Sequence, residues 1–237
     1  MNQKNKVVEF LMKNQISNIN IINFIENYPI HYVEKIGDSV LVKGISDRNW
    51  IYISSKSEEE LKIIKSRLDN KDKNFAIIED WMIPILSKEH KIKWKLVTMR
   101  LILLGGTSKV ELTHSVEELT VNDAEIIYEN SDYKDFISIK YIIERITNGA
   151  SSCVRYRDKL IAWGITQDDG AIGFLHVLPD YRKRGYAKDV MLNLIKKAHH
   201  NNRIPFVHID EQNEKSMRLA IELGFKKDRV VSWFEIE

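Results

Sequence analysis

The sequence holds a single cysteine, Cys153, in 237 residues. One thiol cannot close a disulfide within the chain, and this usage suits a reducing compartment. Cys153 falls in a stretch expected as a strand, Ser152 to Tyr156, with no nucleophile signature around it. A packed thiol is expected there, not a catalytic one. The chain also lacks any run approaching the ~20 apolar residues that cross a bilayer. Its polar start, Met1-Asn2-Gln3-Lys4-Asn5-Lys6, leads into an apolar cluster too short and interrupted for a signal peptide. The resulting expectations are a cytoplasmic location and no membrane partner. An excess of one charge is missing too: 36 basic against 34 acidic residues give a formal net charge of +2. With no accompanying aromatic stacking pattern, nothing in this balance argues for a nucleic-acid partner. Glycine is absent between Gly44 and Gly105, whereas Gly149 to Gly224 holds six. The first half therefore has no glycine-dependent phosphate loop in its middle.

What is present is the composition of a globular chain, 43% hydrophobic and 30% charged, long enough for one large domain or two small ones. Val7, Val8, Leu11 and Met12, then Ile19, Ile22 and Ile25, recur at helical spacing and predict two short helices parted at Ser17-Asn18. Ser39 to Gly44 and Trp50 to Ser54 read as strands. Ser55 to Leu68 reads as a helix capped by Ser57, with Glu60 three residues on. Phe75 to Ile78 and Trp94 to Leu104 read as strands, and Pro84 is expected to interrupt any helix over Trp81 to Leu86. Gly105-Gly106-Thr107-Ser108 is the natural break, giving an N-terminal domain over 1–106 and a C-terminal domain over 107–237.

In the second half, Thr120 or Asn122 caps a helix beginning near Asp123, and Phe136 to Ile146 carries a helical stripe ended by Gly149. Ser152 to Tyr156 and Leu160 to Thr166 read as a hairpin about Arg157-Asp158-Lys159, and Asp168-Asp169-Gly170 as a second turn. The central strand, Ala171 to Leu178, meets Pro179-Asp180-Tyr181, the basic run Arg182-Lys183-Arg184, then Gly185. An amphipathic helix follows from about Tyr186 to Asn201. A strand, Phe206 to Asp210, a helix from Asn213 to Leu223 and a strand from Val230 to Ile236 complete a mixed α/β layout. A strand-to-loop-to-helix turn of this kind presents free backbone N–H groups and the positive end of a helix dipole at one point, which suits a phosphate-bearing ligand.

Arg182-x-x-Gly185-x-Ala187 resembles the acyl-CoA pyrophosphate loop of the GNAT superfamily of N-acyltransferases. A second block at the right distance, Asn213-Glu214-Lys215-Ser216 followed by Leu223-Gly224-Phe225, resembles that superfamily's closing helix. The likeness covers about residues 110–237. Leu178-Pro179-Asp180-Tyr181-Arg182-Lys183-Arg184-Gly185, with Trp163 in the preceding strand, is similar to the glycine N-acyltransferase-like branch, whose members carry a degenerate GNAT-like half before the catalytic one. The resemblance implies a C-terminal GNAT fold preceded by a smaller, degenerate GNAT-like α/β half.

The resemblance also implies a site. The backbone of Leu175, His176 and Val177 would pair with the pantetheine arm of acetyl-CoA as though it were an added strand. The N–H groups of Lys183, Arg184, Gly185, Tyr186, Ala187 and Lys188 would hold the pyrophosphate, with Arg182 and Arg184 supplying charge. Asn213 and Ser216 would lie near the thioester, although a helix cap and its first turn explain the same two residues. The co-substrate would be acetyl-CoA, with no metal, and the acceptor a small-molecule amine or amino acid. Two departures bear on catalysis: Ala171 and Ala220 stand where many relatives place a glutamate base and a tyrosine acid. His176 and His208 are the candidates for a base, Asp168 and Asp169 being expected to form the turn, and proximity alone could carry the rate. No catalytic residue is assigned. The expected function is an acyl-CoA-dependent N-acyltransferase; the alternative is a non-catalytic acyl-CoA-binding or regulatory module. Oligomeric state is not readable.

Overall fold

A computed structural model describes residues 3–105 and 111–237. The chain forms two compact units, one of Met1–Arg100 with Asp228–Glu237 and the other of Leu101–Lys227. The expected division between Gly106 and Thr107 lies outside the described residues. Asp228–Glu237, expected in the C-terminal domain, count with the first unit.

The first unit opens with helices α1 (Gln3–Met12) and α2 (Gln15–Asn27) and strands β1 (Ile30–Ile36), β2 (Ser39–Ile45) and β3 (Asn49–Ser54). Helix α3 (Glu58–Lys65), strand β4 (Asn74–Ile78), a 3-10 turn at Asp80–Met82, helix α4 (Ile83–Leu86) and strand β5 (Ile92–Ile102) follow. The first helix break falls at Lys13-Asn14, not Ser17-Asn18. Asn18 is instead absorbed inside α2, its Nδ2 donating to the Leu11 carbonyl at 3.1 Å and its Oδ1 accepting from Ser54 Oγ at 2.7 Å. Pro84 sits in the first turn of α4, where a missing N–H costs nothing because that N–H has no intrahelical partner. It starts the helix and does not interrupt it.

Strands β2 and β3 are antiparallel, β3 and β4 parallel, and the last strand, β10 (Lys226–Ile236), runs antiparallel to β4. The order in this unit is β1-β2-β3-β4-β10-β5. Side chains alternate across the pleat. Val40, Val42, Trp50 and Tyr52 pack with α1 and α2 through Val7, Leu11, Phe24 and Ile25. Leu41, Ile51, Ile53 and Phe75 pack with Leu61, Ile64, Met82 and Leu86 of the helices on the other face.

The second unit contains α5 (Ala124–Glu129), α6 (Ile139–Asn148), β6 (Ser151–Tyr156), β7 (Lys159–Thr166), β8 (Ile172–Val177), α7 (Tyr186–His200), β9 (Phe206–Ile209) and α8 (Glu214–Glu222). Its strand order is β9-β8-β7-β6. One core cluster joins Ala124, Ile127 and Ile142 of the helices to Cys153, Leu160, Trp163 and Ile165 of the hairpin. Packing of α7 depends on Gly164, where a Cβ would stand 2.9 Å from Leu194 Cδ1 and 3.0 Å from Val190 Cγ1. Cys153 is fully buried, and burial pushes its thiol up to about 11, so it is chemically quiet. Among the described residues no helix is long and apolar enough to cross a membrane.

Candidate functional site

The site is built where β8 runs out and α7 begins. Strand β8 follows β7 in antiparallel register, Ile165 opposite Gly173 and Trp163 opposite His176. Two steps on β7 thus face three on β8, and the extra residue is accommodated at Phe174, whose φ is 51°. Such a bulge bends a strand and breaks its ladder. On its other edge β8 is parallel to β9, but the described pairing is confined to Ile172 and Val207. From Gly173 to Val177, the segment holding Leu175, His176 and Val177, no described pair joins β8 to β9. Parallel strands that part in this way leave a backbone edge with donors and acceptors to offer.

Beyond β8 the chain turns through a 3-10 segment, Pro179–Tyr181, and then through two left-handed residues, Lys183 (φ 62°) and Gly185 (φ 88°). Gly185 takes the N-cap position of α7 and provides no capping side chain. The backbone N–H groups from Lys183 through Lys188 meet no intramolecular acceptor among the described residues; the first N–H to find one is that of Asp189, which donates to the Gly185 carbonyl. A row of free N–H groups at a helix N-terminus is an anion site by geometry and by dipole. Chain neighbours aside, a Cβ built on Gly185 would meet only His114 Cε1, at 3.6 Å, within 4 Å among the described residues, so among these residues the space above the loop is largely open. Arg182 donates through Nε to the Val177 carbonyl at 3.0 Å, and Arg184 through Nη2 to the Asp180 carbonyl at 3.1 Å. Both guanidiniums are therefore moored beside the loop with donors to spare.

The second block forms the start of α8. Asn213 is its N-cap, and its Oδ1 accepts from the Ser216 N–H at 3.1 Å. No described hydrogen bond joins Asn213 or Ser216 to the Lys183–Lys188 loop. Ala171 and Ala220 are both buried, at 0% and 2% exposure, so neither position offers a proton-transfer group.

The two candidate histidines are unlike each other. His208 of β9 places Nε2 3.2 Å from Asp169 Oδ2, and both side chains are 2% exposed. Asp169 also accepts the Ala171 N–H at 2.9 Å, which is its turn-forming role. His208 is thus held by a carboxylate inside the unit. His176 stacks on Trp163 with centroids 4.8 Å apart. Burial lowers its pKa and the Arg182 cation lowers it further, against an opposing pull from Asp132. Its buried Nε2 has no hydrogen-bond partner among the described residues.

One constellation was invisible in the sequence. Asp189, in the first turn of α7 and 1% exposed, accepts from the Thr113 N–H at 3.1 Å and the His114 N–H at 3.0 Å, and pairs with His114 Nδ1 at 2.6 Å. The only available signal was a carboxylate on the buried stripe of an amphipathic helix. Among the described residues no group of three His, Cys, Asp or Glu side chains is arranged to hold a metal ion.

Comparison with known proteins bears on the fold. The FR47-like protein family model matches residues 153–234, from β6 into β10. No curated protein matches the chain. Among solved structures, a Drosophila protein superposes with a TM-score of 0.80 at 14% identity, covering 99% of this chain and 96% of that one. A GCN5-related N-acetyltransferase-like protein from Streptococcus suis gives 0.57 at 12% identity, covering 99% of each chain. A tandem GNAT protein from the clavulanic acid biosynthesis pathway gives 0.55 at 9% identity over 98% of this chain and 94% of that one. At such identities the likeness is one of fold: a mixed α/β GNAT fold in a two-half arrangement.

Proposed function

We propose that the chain is an acyl-CoA-dependent N-acyltransferase that moves an acetyl group from acetyl-CoA to the primary amine of a small molecule or amino acid. The observation that carries this reading is the unbroken run of N–H groups from Lys183 through Lys188 without acceptors among the described residues. These groups would hold the pyrophosphate, with Arg182 and Arg184 neutralising it. The unpaired edge of β8 at Leu175 to Val177 would take the amides of the pantetheine arm as an added strand. That arrangement delivers the thioester to the point where β8 and β9 diverge.

In the reaction the amine nitrogen attacks the thioester carbonyl carbon, the new C–N bond forms, the C–S bond breaks, and the sulfur leaves as a thiolate that takes up a proton. The attacking nitrogen must shed one proton. Of the two histidines, His208 is engaged with buried Asp169, whereas His176 is kept in its neutral form by burial and by Arg182. His176 is therefore the better acceptor for that proton, directly or through water. The glycine N-acyltransferase-like branch is proposed on the run Leu178-Pro179-Asp180-Tyr181-Arg182 and on Trp163 in the preceding strand β7.

A second reading, a non-catalytic acyl-CoA-binding or regulatory module, is favoured by buried Ala171 and Ala220, which leave two proton-transfer positions empty. Two measurements separate the readings. Acetyl-CoA at a hundredfold its Kd stabilises the folded chain by about 2.7 kcal/mol, seen as a rise in Tm; no rise counts against both. Release of free CoA thiol across a panel of amines and amino acids supports the enzyme, and binding without release across the panel supports the module.

A further inference from the structure

Among the described residues, chain neighbours aside, His114 is the one side chain within 4 Å of a Cβ built on Gly185. Its ring is fixed from below: Nδ1 lies 2.6 Å from Asp189 Oδ2, and its own N–H and that of Thr113 bind the same carboxylate. The ring also lies 4.3 Å, centroid to centroid, from the Tyr186 ring. Its side chain remains 28% exposed while Asp189 is at 2%. Cε1, the carbon between the two ring nitrogens, is the atom nearest the position of a Gly185 Cβ. With Nδ1 taken by Asp189, the other neighbour of Cε1 is Nε2, which lies more than 4 Å from that position and is the ring nitrogen left to a ligand.

The tautomer follows from the acceptor. A carboxylate that already accepts two backbone N–H groups takes a third donor, so Nδ1 carries the hydrogen. In the neutral ring Nε2 then bears a lone pair, which repels a phosphate oxygen; in the protonated ring it becomes a cationic donor. The described contacts of the His114 ring are with Asp189 and Tyr186 of α7. Arg182 and Arg184 are moored on carbonyls, and Lys183 and Lys188 are the remaining cations of the loop and first turn.

We propose that His114 is a further ligand of the acyl-CoA pyrophosphate, donating from Nε2, and that binding takes up a proton at that atom. This rests on the acyl-CoA reading above. The bound phosphate favours the protonated ring, so affinity is higher in acid and falls as pH rises. The sign is diagnostic, because a phosphate monoester on the ligand, with a second pKa near ~6, would lose a proton on binding a cationic site and give the opposite trend.

The test is calorimetry of acetyl-CoA binding near neutral pH in buffers of differing ionisation enthalpy. The unaltered chain is expected to take up a fraction of a proton. His114→Gln is expected to bind about tenfold more weakly at the acid end, the loss expected for a charge-assisted hydrogen bond, to converge with the parent at the alkaline end, and to take up no proton. Binding by the unaltered chain with no proton uptake, or with release, overturns this proposal alone, as does a variant with the parent's affinity and uptake. Absence of any acetyl-CoA binding overturns the acyl-CoA reading and this one with it.

Discussion

The described residues contain two strand-helix-strand crossovers with parallel strands, and they end in opposite states. In the first unit β3 and β4 are joined at Trp50–Asn74, Ile51–Phe75 and Tyr52–Ala76, so the strands stay together. The intervening α3 is sealed: Ser57 Oγ accepts the Glu60 N–H, and Glu58, Glu59 and Glu60 occupy the first turn. That end of α3 satisfies its own dipole and repels an anion. In the second unit β8 and β9 share one described pair, the strands part, and α7 starts on an uncapped glycine behind Arg182-Lys183-Arg184. The same supersecondary unit is a closed structural element in one place and an open cradle in the other. The difference lies in a cap, three carboxylates and a glycine.

Changes that abolish or exchange these features test the contrast. Gly185→Glu brings a carboxylate and a Cβ into the cradle at a φ of 88° that disfavours any side chain, and is expected to eliminate acetyl-CoA binding by calorimetry; unchanged affinity would sink the loop assignment. In the first unit the largest effect is expected at Arg100, which is fully buried, pairs with Asp228 at 2.6 Å and bonds Asn20 Oδ1 at 2.5 Å. Arg100→Ala leaves Asp228 short of its partner and should cost about 3–5 kcal/mol in denaturant unfolding. Burial alone would raise the Asp228 carboxyl, but Arg100 and Arg229 outweigh it and hold it below the usual range. Its contribution is thus present above the unfolded carboxylate pKa and is lost as pH falls through the lowered value; Arg100→Ala should flatten that acid dependence. The smallest effect is expected at the sealed helix: Ser57→Ala removes one cap for about 1 kcal/mol and leaves acetyl-CoA binding unchanged.

The cradle was legible because its chemistry is local. A glycine, three cations and a following amphipathic stripe specify a turn, a charge and a helix within a dozen residues. The cap at Ser57 was legible for the same reason, although Glu60 turns to the Asp38 N–H and Ser39 hydroxyl instead of back to Ser57. What escaped depended on distant partners. Ser17-Asn18 looked like a helix break, yet Ser54 bonds Asn18 inside α2, and Arg100 bonds Asn20 of the same helix. Strand β1 was missed because it is half exposed throughout, with no strong alternation to mark it. His114 and Asp189 lie far apart in the chain, and no spacing rule connects them.

One feature of the first unit bears on how the protein is made. Its β10 lies between β4 and β5, which are near neighbours in the chain, while Asp228–Glu237 follow the whole of the second unit. As the polypeptide emerges from the ribosome, β4 and β5 must wait, with facing edges unpaired, until everything through Lys227 has been synthesised. Unsatisfied edges of that kind invite pairing with other chains. The second unit has all its own segments first, so its completion precedes closure of the half that was translated before it. A chain truncated just before Asp228 would thus retain the cradle's residues and lose the strand that the earlier half requires.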